Sequence, residues 1–188
     1  MKMRTHTCGE LRPADAGAKV NLCGWVDSVR DHGGLIFIDL RDRYGLTQCV
    51  FDPQDSQAAW DAAQACRAEY VVRISGEVRV RPPEMVNERI ATGGIEVRSG
   101  AIEVLNKALT PPFPLDDREA GHVSEDLRLE FRYLDLRRPG MQQALMRRHR
   151  ILQAARNYLD EQGFVDIETP ILTKSTPEGA RDYLVPSR

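Results

Sequence analysis

The stretch LIFIDLRDR, Leu35 to Arg43, decides how the first half of this chain is read. Successive side chains of a strand point to opposite faces. Ile36, Ile38 and Leu40 therefore share one side, and Leu35, Phe37, Asp39 and Arg41 the other. One face is aliphatic; the other carries a ring and both signs of charge. Upstream, Asp31-His32-Gly33-Gly34 reads as a turn. It follows a strand in which Val20, Leu22, Gly24 and Val26 alternate with Asn21, Cys23, Trp25 and Asp27. Downstream, Asp42-Arg43-Tyr44-Gly45 turns the chain into a third strand, Leu46 to Phe51.

Between Asp55 and Ala68 the alternation stops. Ala58, Ala59, Ala62, Ala63, Ala65 and Ala68, with Trp60 and Cys66, predict a short helix. A fourth strand runs from Tyr70 to Arg81, with Val72, Ile74, Gly76, Val78 and Val80 on its buried side, and Pro82-Pro83 ends it. Gly93-Gly94 opens a fifth, where Ile95 and Val97 alternate with Glu96 and Arg98. Ala101 to Leu105 either extend the sheet or cross its end. Five strands with a helix between the third and fourth is the order of an OB-fold β barrel, a partly open sheet that binds oligonucleotides on one face. Other small barrels and sandwiches share the pattern.

From Thr110 the run Pro111-Pro112-Phe113-Pro114 is too rich in proline for helix or central strand and reads as a linker. Glu125 to Arg132 suits a short helical turn, and Pro139-Gly140 separates it from a longer helix, Met141 to Gln162. There Leu145, Arg148, Leu152, Ala155 and Leu159 recur at spacings of three and four, Ile151 and Tyr158 widen the apolar face, and Gly163 supplies the stop. Phe164 to Ile167 then extends toward Pro170. The resulting boundaries are 1–108, 109–138 and 139–188.

A chain of 188 residues allows one domain plus a piece of another. With 26 basic residues against 28 acidic ones, the formal charge of -2 gives no blanket of positive potential. Local density differs: between Arg128 and Arg156 lie eight arginines and one histidine against Glu130 and Asp135. No window approaches the roughly 18 apolar residues of a membrane helix. The N-terminus has no apolar h-region, so a cytoplasmic location without membrane association is expected. Cys8, Cys23, Cys49 and Cys66 are too widely spaced for a CxxC site and are expected to be buried thiols, with no metal site.

Phe37 on the outward side of its strand is either a platform on which a base stacks or the filler of a small core at the barrel's end. Arg30, Gln48 and Glu96 would surround it with a cation, an amide and a carboxylate, groups that neutralise phosphate and read base edges. The alternative makes them ordinary surface. His32, in a Gly-flanked turn, has no second ligand at metal spacing. Lys174-Ser175-Thr176-Pro177-Glu178-Gly179-Ala180-Arg181-Asp182 suits either a mobile loop over a polar ligand or a solvated turn with local ion pairs. GxGxxG, Walker, HExxH and GxSxG sequences are absent.

The runs Cys23-Gly24-Trp25-Val26, Leu35 to Arg43, RYLDLRRP from Arg132 to Pro139, and TPEGARDYLVPSR from Thr176 to Arg188 closely resemble bacterial aspartyl-tRNA synthetases, which are class II enzymes. The resemblance extends from about Arg4 to the last residue. The two C-terminal runs are specific; the barrel signatures alone also admit asparaginyl- and lysyl-tRNA synthetases. The resemblance implies an anticodon-binding OB domain over 1–108, a hinge over 109–138, and the opening helix and strand of a truncated α+β catalytic domain over 139–188.

By the same resemblance, Phe37 stacks on the central anticodon base and Arg30, Gln48 and Glu96 are anticodon contacts. Ser28 and Val29 stand where relatives often carry Arg. His32 matches forms that charge both tRNA(Asp) and tRNA(Asn), whereas Glu84 stands where such forms tend to carry Gly. The helix and the segment through Pro170 resemble motif 1, which implies a homodimer interface including Leu152, Leu159 and Pro170. Lys174 to Ala180 resembles the loop that closes over bound L-aspartate, with Glu178 receiving its ammonium group. The implied parent reaction uses ATP and Mg2+ to form aspartyl-adenylate and transfers aspartate to tRNA. The implied ATP-binding arginines fall outside these residues, so the chain alone is expected not to make adenylate. The competing expectation is a free-standing OB-fold tRNA-binding module without catalysis.

Overall fold

The computed structural model describes residues 3–117, 122–172 and 186. They group into two compact units, 1–142 and 143–188. In the first, β1 (Lys19–His32), β2 (Leu35–Asp42), β3 (Gly45–Phe51), β4 (Val71–Val80) and β5 (Ile95–Asn106) close into a barrel in the order β1-β2-β3-β5-β4. All neighbours are antiparallel except β3 and β5, which pair in parallel at Cys49–Val97 and Val50–Arg98. The helix α1 (Gln57–Gln64) lies between β3 and β4, as the OB order requires.

β1 serves two partners. Lys19 to Trp25 pair with β4, Trp25 to His32 pair with β2, and a bulge at Asp27 interrupts the second run just after the handover. A bulge bends its strand and adds twist, which allows one strand to close a small barrel. Gly24 lies at the crowded corner: a Cβ there would sit 2.5 Å from the Arg41 carbonyl oxygen. The β1–β2 connection is Gly33-Gly34 with φ of +62° and +84°, the positive values a two-residue type I′ hairpin demands.

The core is built from the inward rows: Val20, Leu22 and Val26 on β1, Ile36, Ile38 and Leu40 on β2, Val72, Ile74 and Val78 on β4, and Ile95 and Val97 on β5. Ala59 and Ala63 of α1 and Cys66 add to it, and Ser56 caps the helix by accepting from the Ala59 N–H at 3.2 Å. The segment before β1 also contributes. Cys8 and Leu11 are fully buried; the Cys8 N–H donates to Asp42 Oδ2 at 3.0 Å, and Thr47 Oγ1 donates to the Cys8 carbonyl at 2.7 Å.

The short helix expected between Asp55 and Ala68 is α1, and two other expectations, on Val80 and Cys23, are corrected. Val80 is 55% exposed, because it ends β4 beyond the closed part of the barrel. β5 runs for 12 residues, so of the two courses left open for Ala101 to Leu105 they extend the sheet. Of the four thiols Cys8, Cys49 and Cys66 are buried, but Cys23 faces outward from β1 and is only partly covered.

After the barrel Phe113 is buried, and α2 (Glu125–Glu130) and α3 (Arg132–Asp135) follow. Pro139 does not precede the long helix but opens it: α4 spans Pro139–Glu161. Its fixed φ and missing N–H suit the first helical position. The Gly140 N–H is capped by Asp117 Oδ2 at 2.7 Å.

The second unit takes the rest of α4. Gly163 at φ +83° ends it, its N–H bonded to the Asp160 carbonyl and the Phe164 N–H to that of Leu159, the pair of bonds of a Schellman cap. Residues 164–170 form neither helix nor a paired strand.

Candidate nucleic-acid interface

The outward rows of β1, β2 and β3 form a continuous face. Register places Arg30 opposite Phe37 and Phe37 opposite Val50; one rung along, Ser28 faces Asp39 and Asp39 faces Gln48. Directly opposed residues of antiparallel strands share a face, with Cβ atoms about 4.5–5.5 Å apart. Arg30, Phe37 and Val50 thus form one row, and Ser28, Asp39 and Gln48 the next. Phe37 is half-buried and lies outside the barrel core. The ring stands on the outward side of β2, as the alternation of that strand predicts.

Asp39 organises the cation beside the ring. Arg30 Nη2 lies 2.9 Å from both its carboxylate oxygens, and Ser28 Oγ donates to Oδ2 at 2.8 Å. Arg30 is therefore ion-paired, not a free cation, although its side chain remains 53% exposed. An exposed pair of this kind contributes little stability, about 0–1 kcal/mol, so the guanidinium is available to a competing phosphate. Neither Asp39 nor its grip on Arg30 was picked out from the sequence; the alternating position of Asp39 beside Phe37 was the available signal.

At the β3–β5 junction Gln48 Nε2 donates to Glu96 Oε2 at 3.4 Å. Gln48 is mostly covered, only 8% exposed, whereas the Glu96 side chain is 26% exposed. Arg81 Nε lies 4.0 Å from the same Glu96 oxygen, buried and without a hydrogen bond. Arg81 is a second participant that the sequence reading did not single out; it lies one residue past the end of β4.

His32 ends β1 and is exposed. Its turn is held by Trp60, whose indole N–H donates to the Gly34 carbonyl at 2.8 Å, and by Asp31 Oδ1, which accepts from the Gly34 N–H at 3.3 Å. Glu84 stands on a different connection, in the exposed 3-10 turn Pro83–Met85 between β4 and β5. Of the two positions resembling Arg sites in relatives, Ser28 lies on the outward face and Val29 packs against the core.

A separate groove of about 560 Å3 is lined by Lys19, Asn21, Ser75, Glu77, Arg79 and Arg98, with Asp55 at its edge. Arg98 donates two hydrogen bonds to Asp55, which hold that carboxyl below its ordinary range. Arg30, Phe37, Gln48 and Glu96 line no part of it; theirs is a sheet surface. Among the described residues no cluster of three His, Cys, Asp or Glu could hold a metal ion, and no helix is long and apolar enough to cross a membrane.

In the second unit Leu152 and Leu159 are each 46% exposed, and Ile151, Tyr158 and Pro170 are exposed as well. Lys174, Ser175, Thr176, Pro177, Glu178, Gly179 and Ala180 lie outside the described residues.

Two family models match the chain: an OB-fold nucleic acid binding domain over residues 20–107, and tRNA synthetases class II (D, K and N) over residues 124–188. Among similar proteins, an aspartate–tRNA(Asp/Asn) ligase of Caldanaerobacter subterraneus is 56% identical over 185 residues, 98% of this chain and 31% of that protein. The ligase of the same name from Acaryochloris marina is 56% identical over 188 residues, 99% of this chain and 32% of its own. The chain spans about a third of the length of the curated relatives it matches. Among solved structures, the asparaginyl-tRNA synthetase of Pyrococcus horikoshii complexed with asparaginyl-adenylate superposes with a TM-score of 0.81 at 28% identity, covering 96% of this chain and 39% of that one. The barrel order and the similarity over nearly the whole length agree: the chain is strongly homologous to the aspartate/asparagine–tRNA ligases of class II and corresponds to an N-terminal, OB-fold-bearing segment of them.

Proposed function

We propose that this chain supplies the anticodon-binding part of an aspartate–tRNA ligase that charges both tRNA(Asp) and tRNA(Asn). The observation that carries the reading is the outward Phe37 between Arg30 and Val50, one rung from Gln48 and its bond to Glu96. An exposed ring stacks on an unpaired base, a guanidinium meets its phosphate, and an amide and a carboxylate present donors and acceptors to base edges. Arg81 beside Glu96 adds a positive charge near that carboxylate.

Dual specificity follows from His32 in the turn at the end of β1. The two anticodons differ at their third base, and an imidazole there accepts or donates with either. The relatives above carry both tRNAs in their names. Residues 1–108 act as the anticodon domain, 109–138 as a hinge and 139–188 as the start of the catalytic domain. The uncovered apolar face of α4, with Leu152, Leu159 and Pro170, pairs with a second copy in a homodimer. Lys174 to Ala180 closes over L-aspartate, whose ammonium group Glu178 receives.

In the complete protein ATP and Mg2+ supply phosphate activation of the aspartate carboxylate, and the enzyme works in the cytoplasm. What the described residues do is bind and orient the anticodon arm. The test is titration of the chain with labelled anticodon stem-loops. Submicromolar, saturable binding to the Asp and Asn loops and at least tenfold weaker binding to a loop with a changed central base are expected. Equal binding to all three would sink the reading. The 188-residue chain alone should give no aspartate-dependent exchange of pyrophosphate into ATP.

A further inference from the structure

Toward the other end of the β1–β2 ladder, four residues along β2 from Phe37, Arg41 lies opposite Trp25. Arg41 Nε donates to Asp27 Oδ1 at 2.7 Å, and its Nη2 donates to Glu69 Oε1. Glu69 comes from the turn before β4 and is only 8% exposed. Its second carboxylate oxygen accepts from Arg137 Nη2 at 2.5 Å, and the Arg137 guanidinium lies over the Trp25 ring, 4.3 Å from its centroid. A residue of the segment after the barrel is thus gripped by a carboxylate on one side and an aromatic face on the other.

The backbone of Glu69 adds a second observation. At φ +66° it is the sole non-glycine in the left-handed region among the described residues. That conformation is uncommon for a residue with a Cβ and persists where the surroundings fix it. Here the Glu69 N–H bonds to the Val26 carbonyl at 2.7 Å and the Val26 N–H to the Tyr70 carbonyl at 2.9 Å. A turn needing only its shape would be served better by glycine. From Arg137 the linkage continues: Gln142 Nε2 donates to the Arg137 carbonyl at 3.1 Å, while Asp117 pairs with Arg138 and caps Gly140.

We propose that Glu69 is a positioning residue: its buried carboxylate bridges Arg41 and Arg137, clasping residues 132–142, and with them the first turn of α4, to the barrel that bears the RNA face. The docking stands on the geometry alone; its consequence for tRNA charging rests on the function proposed above.

The test compares E69G, E69Q and R137A in the complete protein by amide hydrogen exchange, stem-loop affinity and charging kinetics. E69G relieves the backbone while deleting the carboxylate, so a merely structural turn would tolerate it or gain midpoint. The clasp requires exchange at Leu134 to Gln142 to rise at least tenfold in E69G and R137A, less in E69Q, and no further in E69G/R137A. Stem-loop affinity should stay within twofold while kcat/KM for charging falls at least tenfold. Unchanged exchange in both E69G and R137A overturns the clasp. Raised exchange with unchanged charging overturns its consequence for the reaction. A parent protein that binds no stem-loop removes the proposed function and that consequence together, and leaves the docking to be judged by exchange. Should E69G fail to fold, R137A and E69Q decide the matter alone.

Discussion

Truncating Phe37 to Ala separates a stacking ring from a packing ring. The side chain is half-buried, opposed by Arg30 and Val50, and outside the core, so its removal opens no cavity in the barrel. Loss of its cross-strand contacts costs at most about 1 kcal/mol of stability. Loss of a base–aromatic stack costs about 1–3 kcal/mol of binding. At about 1.4 kcal/mol per decade this weakens stem-loop affinity roughly 5- to 150-fold. Ile38, the next residue on β2, is fully buried and gives the opposite signature: Ile38→Ala costs about 2–5 kcal/mol of stability through its cavity. The assay is fluorescence anisotropy with a labelled Asp anticodon stem-loop at fixed salt, beside urea unfolding of the same preparations. Phe37→Trp should retain affinity and Phe37→Leu should not, because both fill space but only one offers a π face. Binding by Phe37→Ala within twofold of the parent, or destabilisation matching Ile38→Ala, refutes the stacking argument.

Arg30→Ala should lower affinity and reduce the salt dependence of log K by about 0.7, the share of one phosphate contact with a single strand. Pairing it with Asp39→Asn should recover part of the affinity by removing the carboxylate left unpaired. His32→Leu should shift the ratio of tRNA(Asp) to tRNA(Asn) charging by at least tenfold toward tRNA(Asp), read from kcat/KM for each; an unchanged ratio removes His32 from specificity. Burial raises the Cys49 thiol from 9.0 to about 12, favouring the protonated form in the fold. Its contribution is therefore complete below pH 9 and declines as pH rises toward 12, by about 1.4 kcal/mol per pH unit for such a thiol. Urea unfolding from pH 8.5 to 10.5 should show this slope, reduced in Cys49→Ser. Asp55 behaves in the opposite sense: Arg98 lowers its pKa, so its stabilisation is present above about pH 4 and fades as pH falls through the depressed value. Asp55→Asn should melt earlier than the parent at pH 7, and the gap should close in strong acid.

The alternation that revealed the strands also shows where reading stops. On β1 the inward residues Val20, Leu22, Gly24 and Val26 occupy even positions, and an unbroken strand would turn Arg30 inward as well. The bulge at Asp27 reverses the parity, so Val29 faces the core and Ser28 and Arg30 emerge beside Asp39 and Phe37. A slip of one residue moves every later side chain to the opposite face. On β5 the register skips Gly100, which is why Ile95, Val97 and Ser99 point inward before Ile102 resumes on the opposite parity. Read without that skip, Ala101 to Leu105 are left to extend the sheet or to cross its end. The residue types at the Phe37 face were therefore legible, but the side on which Arg30 stands depended on an event that leaves no mark in composition.

The ion pairs were less legible still. Arg41 and Glu69 are 28 residues apart, and Glu69 and Arg137 are 68 apart, so no local spacing announces either contact. Asp27 joins the two halves of the problem. As the bulged residue it turns Arg30 toward Phe37; as a carboxylate it accepts from Arg41, whose other arm reaches Glu69 and through it Arg137. Shortening β1 by one residue at this point would return Arg30 to the core side and remove an anchor of the clasp at once. The proposed RNA face and the seat of the following segment are thus set by the same bend in one strand.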